Sequence, residues 1–209
     1  MLISKEEVIL ALTQHNIQIN GALHIGAHEC EEIDFYSALG VSGHNIIWID
    51  AIHSKVEEAI HRNIPNVFQA VITDKDNDTV IFNITNNVQS SSILDFGSHS
   101  THHPHVHFVK SIELSTTTID TFFKTNILNA SMCDFWNIDI QGAELLALTG
   151  GSESLKSAKA IYLEVNTEEV YKGCALMNDI DKYLLDFGFK RVLTKVLEYG
   201  WGDALYIKV

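Results

Sequence analysis

The chain has 209 residues, 46% of them hydrophobic, and a formal charge of −13 from 27 acidic against 14 basic side chains. That length and apolar content suffice to bury roughly 70% of the surface of the unfolded form, so one self-sufficient domain over residues 1–209 is expected. Nucleic-acid binding rests on clustered Lys and Arg displacing counterions, and no stretch clusters them here, so no nucleic-acid partner is expected.

Residues 1–20 read as an N-terminal helix opened by the capping box Ser4/Glu7. Acidic residues stand where a secretory leader carries basic ones, and no apolar run is long enough to span a bilayer, so no membrane partner is expected. Cys30, Cys133 and Cys174 are odd in number and lack C-x-x-C spacing, which favours a reducing, cytoplasmic location over a disulfide framework. Short Ile- and Val-rich runs then alternate with amphipathic segments. Ala22–Ile25, Ile46–Asp50, Val67–Ile72, Phe135–Ile140 and Ala160–Val165 are apolar on both faces, as central parallel strands should be. Helices are expected over Glu29–Leu39, stopped by Gly40, over Ser54–His61 with a capping box Ser54/Glu57, and over Ile119–Lys124, Ala143–Thr149 and Asp181–Phe187. An insertion over residues 73–117 carries two antiparallel strands, Thr79–Thr85 and Phe108–Ser115, and a histidine-rich loop. Phe189–Leu197 and Asp203–Val209 close the chain as a hairpin. The sum is an α/β fold: a Rossmann-like seven-stranded sheet, mostly parallel with a C-terminal antiparallel hairpin, and helices on both faces. S-adenosylmethionine-dependent methyltransferases use this layout, and doubly wound NAD folds share its first half.

The stretch LHIGAHECEE, Leu23–Glu32, places Gly26 at the turn from the first strand into the first helix, where open parallel sheets bind cofactors. A residue without a side chain there lets backbone N–H groups approach a ligand. The dinucleotide pattern G-x-G-x-x-G is absent, and a pyrophosphate would face Glu29, Glu31 and Glu32. S-adenosylmethionine carries a sulfonium cation and no phosphate, so the same carboxylates favour it. Asp50, 24 positions after Gly26 at the end of the second strand, can accept both ribose hydroxyls, although an Asp there also suits a plain cap before the next helix.

These residues resemble the FkbM-type methyltransferases over nearly the whole chain. The glycine turn is His24–Glu32, the ribose-binding strand end is WIDA (Trp48–Ala51), and the fourth-strand motif is IDIQGAELLALTGG (Ile138–Gly151), with LEVNTEEVYKG and LLDFGF also matching. His24 and Cys30 stand where many relatives have Asp and Gly. The resemblance implies S-adenosylmethionine as cofactor and O-methylation of a hydroxyl on a sugar, polyketide-like molecule or other small-molecule or glycan acceptor. The expected cofactor-binding residues are Gly26, Ala27, His28, Glu32, Asp50, Ala51, Ala70 and Asp139.

Methyl transfer from a sulfonium is an in-line displacement that asks the protein for alignment and a base, the latter contributing roughly 10²- to 10⁴-fold. Asp139, ending the fourth strand, is the first candidate for the base and Glu164, ending the fifth, the second. Together with Asn166 they could instead hold one Mg²⁺ through oxygen ligands. Ser91 and Ser92 of QSSS, with Gln141 and Asn166, are the expected substrate contacts. Tyr36, Trp136 and Tyr171 could stack on a ligand, but aromatic residues in such positions are more often core. His24 and His28 straddle a strand end and a turn, where helical spacing does not make a metal pair. His99, His102, His103, His105 and His107 lack metal spacing, Pro104 interrupts any helix there, and the loop reads as a solvated or substrate-facing lid. DKDND lacks the glycine and final glutamate of a calcium loop and reads as a turn. The rival readings are an NAD-linked oxidoreductase and a catalytically silent binding module.

Overall fold

The computed structural model describes residues 1–209. Helix α1 (Lys5–Gln14) is capped as expected, Glu7 N–H donating to Ser4 Oγ at 3.3 Å and Ser4 N–H to Glu7 Oε2 at 3.1 Å. The chain then alternates through β1 (Ala22–Ile25), α2 (Ile33–Ala38), β2 (Ile46–Asp50), α3 (His53–His61) and β3 (Val67–Gln69). Next come β4 (Val71–Ile72), β5 (Thr79–Thr85), α4 (His99–His102), β6 (Phe108–Thr117) and α5 (Ile119–Thr125). The last third holds β7 (Phe135–Ile138), α6 (Glu144–Gly150), β8 (Ala160–Asn166), α7 (Met177–Leu185), β9 (Phe189–Val196) and β10 (Trp201–Lys208).

Seven strands form one sheet in the order β3-β2-β1-β7-β8-β10-β9. The first five are parallel, and β10 runs antiparallel to both β8 and β9, as the closing hairpin requires. The two-residue period of the strands divides the core. Leu23, Ile25, Ile49, Trp136, Ile138 and Leu163 pack with α5, α6 and α7, while Ala22, Trp48, Phe135, Ala160 and Tyr162 pack with α1, α2 and α3. Both faces are therefore covered, which is why these strands read as unbroken apolar runs.

Several boundaries differ from expectation for local reasons. Val67–Ile72 is two strands: β3 pairs with β2, and after Ala70 the chain leaves the large sheet so that β4 runs parallel to β6 in a second sheet, ordered β4-β6-β5. The insertion pairs antiparallel, β5 on β6, with β6 running on to Thr117. Helix α2 starts at Ile33 rather than Glu29, because His28 (φ 42°) and Cys30 (φ 56°) are left-handed and residues between them cannot be helical. The capping box Ser54/Glu57 does not form. Helix α3 starts at His53, one residue earlier, and its Ile52 cap position is held by Asp50, whose Oδ1 accepts the Ile52 N–H at 2.7 Å. DKDND is a turn docked on α5, Asp76 accepting Thr118 N–H at 2.7 Å and Thr121 Oγ1–H at 2.8 Å. No helix is long and apolar enough to cross a membrane.

Candidate active site

Two adjoining hollows open at the carboxyl edge of the parallel strands. The smaller, about 80 Å³, is an apolar slot between Ile49, Ala51, Ile52, Ala70, Ile72 and Phe82, with the Asp50 carboxylate in its wall. The larger, about 480 Å³, is polar and is roofed by the histidine-rich segment through His99, His103, His105 and Val106. Gly26, His28, Gln89, Asp139 and Gln141 line both.

Asp50 is held by two backbone N–H groups. Its Oδ2 accepts the His28 N–H at 2.7 Å and its Oδ1 the Ile52 N–H at 2.7 Å, so the carboxylate ties the glycine turn to the end of β2. Burial pushes its pKa up, and the two backbone N–H donors oppose that. Each oxygen keeps a lone pair for a diol. Replacing Asp50 by Ala thus removes structural bonds as well as a ligand. Asp50→Asn, which keeps one acceptor oxygen, should weaken S-adenosylhomocysteine binding by about 1.5–3 kcal/mol in a calorimetric titration, and Asp50→Ala should in addition lower thermal stability.

The turn itself differs from a ligand-facing cradle of N–H groups. Gly26 and Ala27 both donate their N–H to the Ile49 carbonyl, at 2.9 and 3.0 Å. Gly26 is required for another reason: at φ +87° a Cβ would lie 1.8 Å from the Asp139 carbonyl oxygen of the neighbouring strand end. Ala27 is 1% exposed, packs in the core and lines neither hollow, so it is corrected from cofactor contact to core residue. Cys30 is likewise core, its thiol pushed up to about 12 by burial. His24 is buried, stacked on Trp48 at 4.9 Å, and its Nδ1 lies 2.9 Å from Tyr36 Oη, while burial holds its pKa down at about 3. It is a neutral imidazole on the cavity wall.

The floor between the hollows is a carboxylate network. Gln141, left-handed at φ 57°, donates Nε2–H to Asp139 Oδ1 at 2.6 Å and to Glu164 Oε2 at 2.7 Å, and its Oε1 accepts the Tyr171 hydroxyl at 2.6 Å. Two carboxylates on one side fix which way the amide faces. Asp139 is open to the cavity but walled by protein on its other sides. That surrounding density desolvates it and, with the charge of Asp203, pushes its pKa up to about 6. Burial and the nearby Asp139 push the Glu164 pKa well above the ordinary carboxylate range. Beneath them Glu144 accepts the N–H groups of Ile140 and Gly142 at 3.0 and 3.1 Å, and burial pushes it up to about 7. Glu144→Ala should cost about 1–3 kcal/mol in chemical denaturation, because it strands those N–H groups, whereas Glu144→Gln keeps an acceptor and should cost less.

The alternative of a magnesium site at Asp139, Glu164 and Asn166 is not supported. The Gln141 amide N–H group occupies the space between Asp139 and Glu164, Asn166 lines neither hollow, and no three His, Cys, Asp or Glu side chains are grouped to hold a metal. Ser92 is corrected too: it lines neither hollow, its hydroxyl donates to the Gln141 carbonyl at 2.8 Å and accepts the Leu94 N–H at 3.0 Å, so it anchors the Gln141 turn. Ser91 lines the slot, although its hydroxyl donates to the Val88 carbonyl. Asn166 is fully buried with both side-chain polar atoms unpartnered. Trp136 and Tyr36 are core, while Tyr171 reaches the cavity.

Glu31, expected beside the cofactor, lines the large cavity, whereas sequence reading missed Tyr162, Trp201 and Asp203 there. Asp203 carried a legible signal, an acid inside the apolar closing strand that is buried at 5% exposure and accepts the Tyr162 hydroxyl. The others come together only through the sheet order.

The lining decides between cofactors. Glu31, Glu32, Asp139, Glu164 and Asp203 face the large cavity, and no Lys or Arg lines either hollow. Lys55 and Arg62, beside the turn, are tied to Glu29 at 2.9 and 2.7 Å. A dinucleotide pyrophosphate would meet five carboxylates against one ammonium, that of Met1, which is already paired with Glu32 at 3.8 Å, whereas the sulfonium and ammonium of S-adenosylmethionine fit that charge, and its adenosine fits an apolar slot walled by Asp50.

Among known proteins, the model of the methyltransferase FkbM domain matches residues 24–191. No curated protein matches the chain in sequence. Among solved structures, a protein of the NADB-Rossmann superfamily from Streptococcus agalactiae aligns at 12% identity over 100% of this chain and 69% of that one, with a TM-score of 0.50, a likeness of fold. A putative tRNA (m1A22) methyltransferase of Streptococcus pneumoniae in complex with S-adenosyl-L-methionine aligns at 15% identity, 99% and 73% coverage and TM-score 0.49. The magnesium protoporphyrin IX methyltransferase of Synechocystis PCC 6803 with bound S-adenosylmethionine gives 12%, 98%, 78% and 0.48. With its match over residues 24–191, the chain belongs to the FkbM methyltransferase domain family.

Proposed function

We propose that this S-adenosylmethionine-dependent methyltransferase O-methylates a hydroxyl of a sugar or other small-molecule or glycan acceptor, with Asp139 as the general base. The observation that carries the reading is that Asp139 is the one carboxylate lining both hollows, so it stands where a cofactor in the slot and an acceptor in the cavity would meet. Asp50 would take the ribose diol, Gly26, Ala51 and Ala70 would flank the adenosine, and His28 and Glu32 would face the methionine end. S-adenosylmethionine, when bound, supplies an activated methyl group on sulfur. The chain's residues do the rest. The large cavity holds the acceptor hydroxyl beside Asp139, whose carboxylate takes the proton as the new carbon–oxygen bond forms, and Gln141 keeps that carboxylate aimed. Glu164, which accepts from the same Gln141 amide, holds that amide in place beside Asp139.

The bond formed should be an ether. Incubation with methyl-labelled S-adenosylmethionine and glycoside acceptors should give label that survives alkali. Label released by alkali as an ester, or transferred only to nitrogen, would remove the hydroxyl from the reading, and cofactor binding with no transfer to any acceptor would leave a silent module.

A further inference from the structure

The roof of the large cavity holds a group that proton transfer does not use. His99, in α4, is 5% exposed, stacked on Phe96 at 4.2 Å and 13°, with Tyr171 and His103 at ring distances of 5.5 and 5.0 Å. Its backbone N–H donates to the Val170 carbonyl at 3.1 Å, so both ring plane and position are set. The ring lines the cavity, yet its Nδ1 is buried with no partner. A neutral imidazole carries one N–H and one bare nitrogen. The bare nitrogen is the less costly one to strand among aromatic rings, which puts the proton on Nε2, the nitrogen left for the cavity. Burial, reinforced by His103, holds the pKa down at about 4, so this donor is uncharged at neutral pH.

His99 is an uncharged donor in a cavity with five carboxylates and no Lys or Arg. The Met1 ammonium lines the cavity but is paired with Glu32 at 3.8 Å, so carboxylates outnumber it five to one and a bound anion would meet net negative charge. Hydroxyl groups suit it well, since each can accept from an imidazole N–H and donate to a carboxylate. Trp201 and Tyr171 add aromatic faces for the C–H side of a ring.

We propose that the large cavity is the acceptor site for a non-anionic polyol, that His99 orients it by donating a hydrogen bond to a hydroxyl oxygen, and that phosphorylated and other acidic acceptors are refused. This rests on the methyl-transfer reading above. The same charge pattern that favours a sulfonium cofactor makes a phosphate group a poor neighbour for it, so an acceptor sugar reaches this enzyme without one.

The test uses the full chain saturated with S-adenosylhomocysteine and, as probes, methyl pyranosides of the common hexoses, their amino analogues and their 6-phosphates, followed by saturation-transfer NMR and calorimetry. At least one neutral or amino probe should bind, with its 6-phosphate at least about tenfold weaker. His99→Phe keeps the ring stack and should weaken the neutral probe about five- to tenfold, and His99→Gln, which restores an N–H donor, should recover part of the loss. A phosphate that binds as tightly as its parent overturns the proposal, and that arm needs no variant. Unchanged affinity in a folded His99→Phe protein also overturns it. If no probe of any charge binds, the polyol class falls, and the S-adenosylhomocysteine titration on the same sample shows whether the methyl-transfer reading falls with it.

Discussion

Asp139→Asn should lower turnover by roughly 10²- to 10⁴-fold while S-adenosylhomocysteine affinity stays within about tenfold. The substitution keeps shape and the Gln141 contact while removing the ability to take a proton. Asp139 and Glu164 share the Gln141 amide, so they titrate as a pair, and the lower-lying step belongs to the form with one carboxylate ionised. The base must be ionised, and its pKa is raised to about 6 by burial, so kcat/KM should rise with pH through that region rather than through the ordinary carboxylate range. In kcat the limb should move to lower pH, because a cationic cofactor beside the carboxylate favours its charged form. Chelator should leave the parent enzyme unaffected. An Asn variant with near-parent turnover under saturating cofactor and acceptor would reduce Asp139 to a structural residue.

Gly26→Ala should destabilise the protein by about 2–6 kcal/mol, combining left-handed backbone strain with overpacking. The added Cβ would meet the Asp139 carbonyl at 1.8 Å, and backbone of two adjacent strands cannot give way as a flexible side chain could. A larger residue such as Val is therefore a folding mutant and does not report on cofactor binding. Denaturation midpoints read this directly. A Gly26→Ala protein of parent stability would mean that the ends of β1 and β7 lie further apart than described.

Elements whose signal is local were legible in the sequence. Ala22–Ile25 and Ile46–Asp50 read correctly because covered parallel strands are apolar on both faces, and α1 because its cap bonds span only three residues. Asp50 and Asp139 were legible as strand-end carboxylates. What failed depended on distant partners. Val67–Ile72 is uniformly apolar, so nothing marks Ala70 as the point where the chain changes sheets. Ser54/Glu57 has the spacing of a capping box, but Asp50 already holds the Ile52 N–H. The Gly26 pattern suggested ligand approach, while the close neighbour is the Asp139 carbonyl, a residue 113 positions away. Gln141 was legible as a polar residue near the site, but not as the donor joining Asp139, Glu164 and Tyr171, which needs β7 beside β8.

The most direct measurement is a pair of calorimetric titrations of the full chain, one with S-adenosylhomocysteine and one with NAD, each repeated on Asp50→Asn. The slot with Asp50 in its wall and the carboxylate-rich cavity, free of Lys and Arg, require one-to-one binding of S-adenosylhomocysteine, weakened in Asp50→Asn, and no heat from NAD. Binding of NAD with comparable affinity, or S-adenosylhomocysteine binding that ignores Asp50, would contradict the assignment of this site.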